Sequence, residues 1–147
     1  MSQLPLTFAC GLYDRVLPLY TGEVRPAGID LNFIPINNPR EIFDRMGGGQ
    51  EFDASEFSSS ETICRLSNGD KTFAALPFFP SRVFRHSMIT INKRSGIRKP
   101  KDLEGKRVGT ALYTQTAAVF IRGMLQHDHD VDLSRVHWVQ GALNRAQ

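Results

Sequence analysis

Short runs with apolar residues at every second position alternate along this chain with stretches of helical spacing, and that alternation restricts the fold more than any other feature. In "LPLTFAC", Leu4, Leu6, Phe8 and Cys10 fall on one face of an extended segment, which predicts a first strand ended by Gly11. "YDRVLPLYTG" predicts a short helix through Val16, Leu17 and Tyr20, bent or shortened by Pro18 and closed by Gly22. "RPAGIDLNFIPI" predicts a turn and a second strand with Ile29, Leu31 and Phe33 on one face. "NNPREIFDRMGGG" predicts a helix with Asn38 as N-cap, Pro39 in its first turn and glycines 47–49 as its stop. A short strand follows around 52–54, then a helix through Ile63 and Leu66, capped by Ser58, Ser59 or Ser60 and ended by Gly69. "TFAALPFF" predicts a buried third strand and "SMITIN" another. "RKPKDLEGKRVGT" predicts a polar turn, a helical turn and a strand into Gly109. "TQTAAVFIRGMLQHD" has helical spacing at Ala118, Ile121, Met124 and Leu125, and "VHWVQG" starts a last strand. Such alternation builds an α/β protein with a mostly parallel sheet. The polar turn at 93–102 marks the boundary between two lobes, 1–92 and 93–147. The about forty-five residues beyond it form a thin core for a domain, so the second lobe is expected to be incomplete.

Composition excludes several classes. The 147 residues carry a net charge of only +3, with Lys and Arg scattered among acids, so the basic stripe of a nucleic-acid binder is missing. Small anions remain suitable ligands. Cys10 and Cys64 sit in apolar-looking elements and are expected to be buried free thiols, with a disulfide as the open alternative. The N-terminus lacks the features of a secretory signal, and no apolar run is long enough to span a bilayer. The expectation is a cytoplasmic chain with reduced thiols and no membrane partner. There is no glycine-rich phosphate loop, CxxC or GxSxG, so nucleotide binding, a zinc ribbon and serine-hydrolase chemistry have no support.

Several polar clusters are candidates for a site. "FPSRVFRHS" embeds Arg82, Arg85, His86 and Ser87 among apolar residues. The arginines suit bidentate binding of carboxylate; alternatively one pairs with Glu56 or Asp53. An imidazole suits proton donation, so His86 is a candidate acid, or else it bonds a backbone group. "FDASEFS" is expected to place Asp53, Ser55, Glu56 and Ser58 at the C-terminal end of a strand, the ligand-binding edge of open α/β sheets; the competing role is N-capping. Tyr13 and Asp14 follow the first strand on the same edge, where Asp14 also suits capping. Thr114, Gln115 and Thr116 start the late helix, and for Thr116 capping is the preferred role. His127 and His129, with Asp128 and Asp130, do not share a helix face and read as a solvated helix end, not as a metal site.

"GLYDRVLPLYTGEVRPAGIDLNFIPI", "FDASEFS", "FPSRVFRHS", "IRKPKDLEGKRVG" and "TAAVFIRGMLQ" together resemble the 4,5-dihydroxyphthalate decarboxylase family, from about Leu6 to Asn144. "KDLEGKRVG" by itself is also similar to the lobe-crossing segment of type 2 periplasmic solute-binding proteins. The resemblance implies a type 2 periplasmic-binding-protein-like fold, with two lobes and a ligand cleft, of which this chain is an N-terminal portion. Two departures are Phe120, where tryptophan is expected, and Asp130, where a glycine would suit the left-handed end of a helix. The implied activity is loss of one carboxylate from 4,5-dihydroxyphthalate to give protocatechuate and CO2, as part of phthalate catabolism. The implied roles are carboxylate binding by Arg82 and Arg85, proton donation by His86, and contact of Glu56, Asp53 and Ser55 with the ring hydroxyls or a divalent metal. Ser58, Ser87, Tyr13, Thr114 and Gln115 would line the substrate site. A metal requirement and a homo-oligomer are left open. Two alternatives remain: a non-catalytic binder of a small organic anion, and an inactive fragment.

Overall fold

A computed structural model describes residues 3–141. Among the described residues the strands pair in parallel, in an α/β arrangement with two compact units. The first unit comprises the chain through Ser58 and Arg65–Arg82; the second comprises Ser59–Cys64 and the chain from Val83 on. The chain passes between the units at 58/59, 64/65 and 82/83. The end of the 93–147 segment, from 142 on, lies outside the described residues.

In the first unit, β1 (Leu4–Cys10) lies between β2 (Ile29–Pro35) and β3 (Ala54–Ser55). Its register pairs Phe8 with Phe33 and Ala54, and Ala9 with Ile34 and Ser55. Side chains alternate faces along a strand, so each register pair shares a face. On one face, Ala9 and Ile34 pack with Ile36, Phe52 and the Ile42, Phe43 and Met46 side chains of α2 (Pro39–Gly49). On the other, the Phe33 ring meets Phe8 edge-on at 5.3 Å, and Tyr20 from α1 (Leu17–Thr21) at 5.6 Å. Asn38 caps α2 as expected, accepting from the Arg40 N–H at 3.1 Å, with Pro39 next.

Two expectations fail here. Glycines 47–49 do not stop α2: the helix runs to Gly49, and the cap falls at Gln50, whose φ is 48°. Anchoring of the preceding turn by Arg45, which bonds Glu41 and Glu51, offsets the poor helix propensity of glycine. Second, "TFAALPFF" forms no strand; Leu76, Phe78 and Phe79 are exposed. Pro77 and Pro80 cannot donate to a ladder, and the Phe78 N–H turns back to the Leu76 carbonyl at 2.7 Å. α1 is short, as Pro18 implied: it begins at Leu17 with Pro18 in its first turn, and Gly22 closes it in the left-handed conformation.

In the second unit, β4 (Arg107–Thr110) pairs with β5 (His137–Gln140), and α4 (Thr116–His127) connects them. Leu103, Leu125, Val131 and Val136 form its core. "SMITIN" is not a strand: a 3-10 turn, His86–Met88, precedes irregular chain, with the Met88 N–H bonded to the Arg85 carbonyl. No strand among the described residues lies beside it to accept a ladder. Helix α3 (Ser59–Ser67) divides, its first six residues grouping with the second unit. Asp130 does adopt the left-handed conformation, φ 53°, as the Val131 N–H closes the helix end onto the Leu125 carbonyl at 2.9 Å.

A β-branched residue is strained at such a φ. Asp130→Val should destabilise the protein by about 1–2 kcal/mol, whereas Asp130→Gly should not lower the melting temperature; paired thermal melts check both.

Candidate functional site

The first unit gathers its polar groups just beyond the C-terminal ends of β1 and β3. Parallel pairing continues one residue past Ser55: the Glu56 N–H donates to the Ala9 carbonyl at 2.9 Å. Glu56 is thereby brought beside Cys10 and is 7% exposed. A carboxylate so buried needs donors. The Tyr13 hydroxyl donates to its Oε1 at 2.9 Å, and the Gly11 N–H to its Oε2 at 3.3 Å. The buried Cys10 thiol donates to Oε2 at 3.8 Å. Gly11 makes the cluster possible in a second way: a Cβ there would stand 3.0 Å from the Tyr13 ring, which folds back over it.

These contacts keep both acids protonated. Burial, followed by the charge of Glu56 and the hydrogen bond to it, pushes the Cys10 thiol up to about 12. Burial and the bond to Glu56 push the Tyr13 phenol up to about 12, against the opposing effect of the Ser81 hydroxyl. Arg15 anchors the approach of Ser81 by donating to the Pro80 carbonyl. The result is an acceptor carboxylate next to a phenol that stays a donor at neutral pH.

Not every expected residue joins it. Asp53 precedes β3, because the strand spans Ala54–Ser55 and not 52–54; it is therefore not at the C-terminal end with Glu56. Its carboxylate accepts from the Thr7 N–H at 2.8 Å and the Thr7 hydroxyl at 2.7 Å, which hold it below the usual carboxylate range. The Ser55 hydroxyl is buried with no hydrogen-bond partner among the described residues, and Ser58 is buried. Arg82 donates to the Phe79 carbonyl at 3.0 Å, and Arg85 to the Met88 sulfur at 3.5 Å. Asp14 does not cap α1, whose N-cap is Val16; it pairs with Arg15 at 3.3 Å.

In the second unit, His86 and Ser87 lie in the 3-10 turn and are exposed, and the His86 ring is 6.2 Å from that of Phe84. The Thr114 carbonyl accepts from the Ser60 hydroxyl at 2.8 Å, and Thr116 Oγ1 lies 3.1 Å from the same hydroxyl. Gln115 is the N-cap of α4 but makes no side-chain capping bond. Cys64 is exposed, not buried, because α3 buries none of its residues and leaves Ile63 and Leu66 exposed as well; both cysteines are free thiols. Among the described residues no group of three or more His, Cys, Asp or Glu side chains is arranged to hold a metal, and no helix is long and apolar enough to cross a membrane.

Reasoning from sequence missed Cys10, Gly11 and Ser81 as members of the cluster. A glycine placed directly after the first strand was the available signal for Gly11; Ser81 had none.

Residues 25–146 match the NMT1/THI5-like family. The chain belongs to that family. The chain is also 40% identical over 141 residues to the 4,5-dihydroxyphthalate decarboxylase of Comamonas testosteroni, covering 96% of this chain and 42% of that protein. It is equally similar to the 4,5-dihydroxyphthalate decarboxylase of Pseudomonas putida, of which it covers 54%. This NMT1/THI5-like chain therefore spans about half the length of these relatives.

A group whose acid form is favoured by folding adds stability below its unfolded pKa and loses it as pH rises through the folded one. For Cys10 and Tyr13 the loss falls between about 9 and about 12. In Glu56→Gln the carboxylate's share of both shifts disappears. Tyr13 should then ionise at lower pH in an ultraviolet titration, and Cys10 should alkylate faster at alkaline pH; unchanged titration would break the link to Glu56.

Proposed function

We propose that this chain contributes to a decarboxylase acting on 4,5-dihydroxyphthalate, a small aromatic dicarboxylate, in the cytoplasm. What carries the reading is the 40% identity, over nearly the whole chain, to two proteins of that name. The proposed architecture is that of type 2 periplasmic solute-binding proteins, with the first unit belonging to lobe one and the second to the start of lobe two.

The Tyr13–Glu56 pair suits the chemistry. Expulsion of CO2 directly from an aromatic ring leaves an unstable carbanion. Protonating the ring carbon that bears the carboxylate avoids it, if a ring hydroxyl gives up its proton and pushes electrons into the ring. Glu56 is the proposed acceptor of that hydroxyl proton, and Tyr13 orients it. A proton then joins the ring carbon, the carbon–carboxylate bond breaks, its electron pair restores the aromatic ring, and CO2 leaves. His86 is the proposed proton donor, and Arg82 and Arg85 the proposed carboxylate forks. Asp53, held by Thr7, has a structural part in this reading.

The decisive experiment incubates the purified protein with 4,5-dihydroxyphthalate and follows CO2 together with the dihydroxybenzoate product. Turnover supports the reading. Binding without CO2 release favours a solute binder, and neither binding nor turnover overturns it. Given turnover, Glu56→Gln should lower kcat about 10²–10⁴-fold, and Arg85→Ala should lower kcat/KM by at least ~10-fold. Asp53→Asn should leave kcat nearly intact, lower the melting temperature at neutral pH, and make the remaining stability fall less steeply as pH drops, because the depressed carboxylate that loses its contribution in acid is gone.

A further inference from the structure

The second unit contains a cleft of about 270 Å³ that the proposed reaction does not explain. Its floor is apolar. Leu103 and Leu125 belong to the core of the unit, and Ile97 and Met124 pack against that core. The floor is thus built from side chains that packing already holds in place. Its rim is basic, carrying His86, Arg98, Lys99 and His129. None of these four forms an ion pair among the described residues.

The backbone that presents two of them is held in place. Asp102 Oδ2 accepts from the N–H groups of Arg98 at 2.9 Å and Lys99 at 3.1 Å, across the 3-10 turn Pro100–Leu103. Asp102 is also the acid whose field reaches Lys99. One carboxylate against an arginine and a lysine leaves this stretch of the rim positive. The volume is just below the roughly 300–1,000 Å³ of typical ligand pockets, which limits the occupant to about one ring. An apolar floor selects a hydrophobic body, and a fork-shaped guanidinium at the rim selects carboxylate.

We propose that this cleft binds a small hydrophobic carboxylate, the apolar part against Leu103 and Met124 and the carboxylate against Arg98 and Lys99. The proposal shares only His86 with the reaction above. Binding is measured without any need for CO2 release, so the failure of one reading does not carry over to the other.

The probes are benzoate and benzamide, which have nearly the same shape and differ in charge. Isothermal titration of the purified protein should show benzoate binding with a Kd of about 1 mM or tighter, and benzamide at least ~10-fold weaker. Arg98→Ala with Lys99→Ala should weaken benzoate at least ~10-fold. Both side chains are exposed, so the variant should keep the wild-type melting temperature, which checks its folding. Arg98→Lys in place of Arg98→Ala should recover part of the affinity. Equal affinity for the two probes would overturn the proposal, as would no benzoate binding. So would loss of benzoate binding in Glu56→Gln with the Arg98/Lys99 variant unaffected, because the carboxylate would then belong to the other site.

Discussion

The first unit depends on the parallel pairing of β1 with a neighbour on each side. β1 is paired with β2 along all seven of its residues and with β3 at Phe8 and Ala9. The side-chain period of a strand is two, so a slip of one residue would exchange its faces. Ala9 would leave the Ile36–Ile42–Phe52 core, and Cys10 would no longer stand beside Glu56. The same ladder therefore sets both the core and the polar cluster.

Burying the carboxylate of Glu56 is the main electrostatic liability of this arrangement. The protein meets it locally: all three donors come from the four residues Cys10 to Tyr13 that follow β1. This requires a sharp reversal after the strand. The Tyr13 N–H bonds the Gly11 carbonyl at 2.9 Å, and the Leu17 N–H bonds the Tyr13 carbonyl, which leads into α1. The phenol and thiol become weaker acids in consequence, so the cluster holds its protons where free tyrosine and cysteine would begin to lose them.

The second unit handles a partly shielded acid differently. Glu104 accepts from the Asp132 N–H at 3.0 Å and pairs with Lys101 at 2.8 Å and Arg135 at 2.7 Å. Opposite charges join a neutral donor in balancing it, and the effect is a brace between the turns that flank β4 and β5. Arg122, 3.7 Å from the centroid of the Tyr113 ring and bonded to the Tyr113 carbonyl at 2.8 Å, ties α4 to the loop before it.

The local code determined much of this. Period-two spacing at 4–10 and 29–33, the Asn38–Pro39 helix start, the helical spacing at 118–125 and the demand for φ above zero at Asp130 were all legible, because each depends on residues close in the chain. Glu56 and Tyr13 were legible as site candidates because they follow strands. Their partnership was not, since 43 residues separate them and only the β1–β3 register brings them together. Asp53 illustrates the same limit: a strand displaced by one or two residues moves a side chain from one end of the sheet to the other. "TFAALPFF" and "SMITIN" have the composition of strands, but a strand is completed by its neighbour's hydrogen bonds, which local sequence cannot supply. The sequence by itself determined where the chain alternates and caps; tertiary pairing decided which apolar runs became strands and which distant polar groups share one buried carboxylate.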